Sequence, residues 1–112
     1  MLISGDVVDL DLGLPVGHEA GFRHPAVVVT AQEVLDQRPS VVQVVPLTST
    51  FRGFRSEVQV MPAHSDLDRE SFAQCQHIRS VSNTRIGACR GNVGAVTLLQ
   101  IREVLALLLD LG

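Results

Sequence analysis

Apolar and polar residues alternate at Val8-Asp9-Leu10-Asp11-Leu12, the period of a strand with one face in water. Residues 13–24 then hold the glycines and proline of a loop. Residues 26–30 and 41–47 are short β-branched runs without alternation, which predict strands buried on both faces. Between them, residues 31–35 predict a helical turn that is broken before Pro39. A loop over 48–56 leads into another strand at Glu57–Val60, and residues 61–69 are polar and irregular. Residues 71–81 read as one longer strand with Cys75 among its inward positions. A turn at Ser82, Asn83 and Thr84 and a last strand over 85–90 complete a β body.

The period then changes. Thr97 followed by Gln100 has the spacing of a capping box and predicts a helix start there. Leu98, Ile101, Leu105, Leu108 and Leu109 form one stripe, and Leu99, Val104, Leu107 and Leu111 widen it past half the circumference. A helix this apolar requires cover on two sides. Its own sheet is one cover; a second subunit is the natural other. Short strands at regular spacing followed by one helix predict a small barrel or sandwich, mainly β with a C-terminal α-helix. A chain of 112 residues is one domain, 1–112.

Composition narrows the chemistry. Hydrophobic residues are 46% and charged residues 19%, which excludes a disordered chain. Net charge is −3, so a general nucleic-acid binder with a broad basic surface is excluded. Any positive site must be local. All nine basic residues are arginine, a side chain suited to phosphate. Cys75 and Cys89 fit a reduced, cytoplasmic protein better than a disulfide scaffold. No Cys/His spacing reads as a metal site, and no run is long enough to span a membrane.

The ordered pieces Gly5-Asp6-Val7-Val8, Gly17-His18-Glu19, Arg23-His24-Pro25-Ala26-Val27-Val28-Val29, Val45-Pro46-Leu47-Thr48-Ser49, Glu57-Val58 and His77-Ile78-Arg79-Ser80, with the Leu-rich helix, resemble the MazF/PemK family of toxin endoribonucleases. The resemblance covers nearly the whole chain. It implies an SH3-like barrel with a C-terminal helix, usually a homodimer, and cleavage of single-stranded RNA without metal or cofactor. Attack by the ribose 2′-hydroxyl leaves a 2′,3′-cyclic phosphate and a 5′-hydroxyl. The resemblance also implies silencing by an antitoxin, whose acidic and apolar C-terminal segment can occupy phosphate positions.

This chemistry needs proton transfer at two oxygens and donors for a charged phosphorane. The family places an arginine immediately before the strand-opening proline and a threonine after the Val-Pro run. Thr48 matches the threonine. Counting back from Pro25, His24 holds the arginine's position, with Arg23 one step earlier. Neighbouring residues before a proline are extended and point to opposite sides, so His24 and Arg23 are alternatives for one site. An imidazole is the better acid or base and the poorer permanent counter-charge. Glu19 is a further candidate for orienting a cation or taking a proton.

Ser49 and the Phe51-Arg52-Gly53-Phe54-Arg55 loop interleave hydroxyl, aromatic and basic residues, a composition suited to stacking bases and holding phosphates of single-stranded RNA. One phenylalanine packing under a hairpin is the plain alternative. Gln76 and His77 are placed on a strand as further RNA contacts, His77 standing where the family has glutamine. The departure at His24 keeps a second class open: a non-catalytic inhibitor or binding module like the CcdB toxins, which share the fold class and poison a topoisomerase.

Overall fold

The computed structural model describes residues 1–11, 24–61 and 69–112. Seven strands form: β1 (Asp6–Leu10), β2 (His24–Val28), β3 (Val41–Thr48), β4 (Glu57–Val60), β5 (Ser71–Gln74), β6 (Arg79–Ser82) and β7 (Ile86–Asn92). β1 starts two residues before the expected run and is not half-exposed: Val7 packs into one core and Val8 and Leu10 into the other. A short helix α1 (Gln32–Leu35) joins β2 to β3, and α2 (Gly94–Leu108) closes the chain. All pairings are antiparallel, in the order β4-β5-β3-β2-β1-β7, with β6 also on β3.

β3 is the hub because both of its faces are buried. Val42 and Val44 pack with Val8, Leu10, Ala26, Val28, Leu35 and Val81 in one core. Val45 and Leu47 pack with Val7, Val27, Val58, Val60, Ala73 and Cys75 in the other, under Leu98, Ile101 and Leu105 of α2. Pro46 marks where the strand changes partners. Residues 41–44 pair with β6, whereas Leu47 and Thr48 pair with β5. Toward β2, the backbone bond from Val29 N to Gln43 O at 3.0 Å makes 29↔43 a hydrogen-bonded pair. Alternation then makes Ala26↔Pro46 a pair without bonds between its members. The missing N–H of Pro46 therefore faces the gap between β6 and β5, where no ladder bond is lost.

Two further boundaries differ from expectation. The run over 71–81 is not one strand: a 3-10 turn at Cys75–His77 separates β5 from β6. That turn lets the chain leave one partner stretch of β3 and rejoin it at another. The helix begins at Gly94, three residues before Thr97. Its cap comes from the preceding strand: Asn92 Oδ1 accepts from Gly94 N at 2.7 Å, while Asn92 Nδ2 donates to Ser4 O and Asp6 Oδ1, each at 3.1 Å. Gly5, at φ +93°, makes room for this bridge, since a Cβ there would lie 3.0 Å from Asn92 Oδ1. Alternation along β7 hid a capping side chain at its last residue.

Each of Leu98, Ile101 and Leu105 contributes roughly 1.5–3 kcal/mol by leaving water. Of the rest of the expected stripe, Val104 packs partly against this core, whereas Leu99, Leu107, Leu108, Leu109 and Leu111 are exposed, as is Val96 outside the stripe. Among the described residues no helix is long and apolar enough to cross a membrane.

Candidate RNA-cleavage site

The β2–β3 register pairs Val28 with Val44, Val27 with Val45 and Ala26 with Pro46. Carried two residues further, it sets His24, the first residue of β2, across from Thr48, the last of β3. By the same alternation this is a pair without backbone bonds between its members, the type in which side chains stand closer. Both residues are half-buried. The ladder itself ends at Ala26 and Pro46, because Pro25 has no N–H to offer Leu47.

Thr48 also stands opposite Phe72 of β5. His24, Thr48 and Phe72 thus follow one another across three strands on one face of the sheet. Thr48 Oγ1 accepts from Thr50 N at 3.2 Å. A hydroxyl can accept and donate together, so this bond orients the side chain and leaves its proton for a donor role.

The loop after Thr48 turns back over that face. β3 and β4 are parallel to each other on either side of β5; β3 ends beside Phe72 and β4 begins beside Gln74. The connecting residues 49–56 therefore cross β5. Phe51 lies on Phe72 with ring centroids 5.1 Å apart and planes tilted by 45°, yet remains 67% exposed. Its ring is packed on one side and open on the other. Ser49, Arg52, Phe54 and Arg55 are exposed along the same loop. The loop's far end is fastened by Ser56, whose Oγ donates to Gln76 Oε1 at 2.7 Å and whose carbonyl accepts from Cys75 N at 3.1 Å.

Gln76 and His77 lie on the 3-10 turn rather than on a strand, and both are exposed. Gln76 reaches the loop through Ser56, while His77 follows toward β6, away from the Thr48 end of β5. Glu19 and Arg23 lie outside the described residues. Cys75 is core, as expected; burial pushes its thiol up to about 11.

Two contributors escaped the sequence reading. Phe72 supplies the platform under Phe51; its position between the inward Ser71 and Ala73 was the available signal. Glu57, read from the sequence only as the start of a strand motif, accepts from the nearby loop amides Arg52 N and Phe54 N, both at 3.2 Å. Near the rim, Arg90 is committed to Asp9 at 2.6 Å, and Asp9 stands opposite Pro25. The exposed arginines of the loop, Arg52 and Arg55, carry positive charge beside the Phe51 ring.

A two-core β body, with a histidine set by register beside a threonine at one rim and an aromatic, basic loop folded over the next strand, makes a small, mainly β domain with a C-terminal helix. The chain belongs to the family of PemK-like, MazF-like toxins of type II toxin–antitoxin systems, whose model matches residues 3–109. It is 32% identical to the endoribonuclease MazF9 of Mycobacterium tuberculosis over 116 aligned positions, which span 99% of this chain and 98% of that protein. Among solved structures, MazF from Deinococcus radiodurans is 30% identical with a TM-score of 0.73, covering 96% of this chain and 94% of that one. The MazE–MazF complex from the same organism gives 25% identity and a TM-score of 0.75, covering 97% and 95%.

Proposed function

We propose that this protein is the toxin of a type II pair and an endoribonuclease that cuts single-stranded RNA. What supports the reading is Thr48 beside Phe72 under the Phe51 ring, with His24 next to Thr48 when the β2–β3 register is extended, in a chain 32% identical to an endoribonuclease over nearly its full length. The nucleophile is the substrate's own 2′-hydroxyl, so the protein has to move protons and hold charge rather than supply an attacking group. The 2′-oxygen forms a bond to phosphorus, the bond from phosphorus to the 5′-oxygen breaks, and one proton leaves the 2′-oxygen while another reaches the 5′-oxygen.

His24 handles one of these protons, and Thr48 donates to a non-bridging oxygen of the phosphorane. Glu19 and Arg23 are the candidates for the other proton and for the counter-charge. Phe51 stacks a base on its open face, with Ser49, Arg52 and Arg55 on the adjoining phosphates and Phe54, Gln76 and His77 further along the strand. The exposed leucines of α2 dock a second copy, giving a homodimer. An antitoxin with an acidic and apolar C-terminal segment binds across the same rim, as MazE accompanies MazF in the D. radiodurans complex.

A direct test compares one labelled RNA as a single strand and as a perfect duplex. The single strand is cut at a few positions and the duplex is spared. An uncut single strand across several unrelated sequences would instead favour a non-catalytic binding module.

A further inference from the structure

We infer that Glu57 is a positioning residue for the RNA-contacting loop, resting on the RNA reading above: its carboxylate holds residues 52–54 in the shape that presents Phe51 and Arg52 beside Thr48. The need follows from topology. Residues 49–56 cross β5 from the Phe72 end to the Gln74 end, so no ladder runs along them. Their order comes from a few separate ties.

Glu57 supplies the central one. Arg52 N and Phe54 N both donate to its Oε1 at 3.2 Å, and its own N donates to Phe54 O at 3.1 Å. Gly53, between the two donors, has φ +74°, a left-handed conformation that turns successive amides toward one point. Two N–H groups converging on one carboxylate oxygen form a small anion nest, closed by a side chain of the same chain. Glu57 Oε2 is buried and has no hydrogen-bond partner among the described residues. One oxygen is bonded to the loop and the other is enclosed, so the carboxylate is held in one orientation. Without it, the turn carrying Arg52 and Phe54 would lose its central tie, while the Phe51–Phe72 stack and the Ser56 bonds remained.

Backbone amide exchange in the RNA-free protein, together with steady-state cleavage, tests the assignment. Glu57→Ala speeds exchange at Arg52 and Phe54 by about tenfold or more, the loss expected for a charge-assisted bond, with β1–β3 amides unchanged. It raises KM for a long single strand by about tenfold with kcat nearly constant, and adds little in a Phe51→Ala background. Glu57→Gln keeps a carbonyl acceptor but not its charge and recovers part of both losses. Glu57→Asp, which shortens the reach by one methylene, repeats the alanine result if the alanine variant does not fold. Unchanged exchange at Arg52 and Phe54, or a full additional KM loss in the Phe51→Ala background, overturns the assignment. Faster exchange in a protein whose wild type neither binds nor cuts RNA would place the failure in the RNA reading and leave the loop tie standing.

Discussion

Extended two residues past Ala26 and Pro46, the β2–β3 register sets His24 opposite Thr48 at the ends of the two strands, beyond the break at Pro25. An imidazole opposite a hydroxyl is a different instrument from an arginine opposite one. It can move a proton at neutral pH, but it cannot hold a permanent charge against the phosphorane.

His24→Ala should lower cleavage by about 10²–10⁴-fold, the usual loss for a missing acid–base group. Arg23→Ala should lower it less, mainly by weakening binding and flattening the salt dependence. An inactive Arg23→Ala beside an active His24→Ala would move the site one residue along the chain.

Thr48 is the second test. Thr48→Ala should cost about 10²–10³-fold in kcat, as for a lost transition-state donor, and also release Thr50 N from its acceptor. Thr48→Ser keeps the hydroxyl and should retain most of the activity. Equal loss in both variants would mean that the methyl group, not the hydroxyl, matters.

Phe51→Ala should weaken binding of single-stranded RNA by about 1–3 kcal/mol, the range for one stacked base, with little effect on folding because the ring is largely exposed. Titration with an uncleavable deoxy-substituted strand measures this. Full retention of affinity would assign Phe51 to covering Phe72 and nothing more.

The α2 surface predicts assembly. Leu107→Glu places a charge at a position that is 77% exposed in one chain and should turn a dimer into a monomer by light scattering at micromolar concentration. Ile101→Ala, in the core, should instead cost about 2–5 kcal/mol of stability. A monomeric wild type would contradict the dimer.

Cys75 offers a pH signature. Its folded value near 11 lies above the 9.0 of a free thiol because burial disfavours the thiolate. The raised value means that the folded state keeps its proton longer, so the contribution is fully present below about pH 9 and is lost as pH rises toward 11. In the native protein a thiol reagent should modify the exposed Cys89 and spare Cys75 until unfolding.

Periodicity was enough to find β2, β3, β4 and the helix, because buried β-branched runs and a leucine stripe leave little choice of period. It failed where partners change. The 3-10 turn at Cys75–His77 is set by β3 switching from β5 to β6, a relation between distant residues that no local pattern carries. The start of α2 was misplaced for a similar reason, since Asn92 caps from the end of a strand and is itself held by Ser4 and Asp6. Thr48 and the Phe51–Arg55 loop were legible as a motif in order. Phe72 was not, because its role comes from a loop that crosses β5 and meets it in space, and Glu57 was read only as a strand start although its bonds to Arg52 and Phe54 are local.

The central claim is that this rim cuts RNA through the substrate's own 2′-hydroxyl, with His24 and Thr48 as the working side chains. It is tested most directly by incubating the purified protein with a long single-stranded RNA in EDTA and analysing the new ends. The account predicts cleavage that persists in the chelator, leaving 2′,3′-cyclic phosphates and 5′-hydroxyls, and that is lost in both Thr48→Ala and His24→Ala. Cleavage abolished by EDTA, ends bearing 5′-phosphates, or no cleavage by the wild type would contradict it.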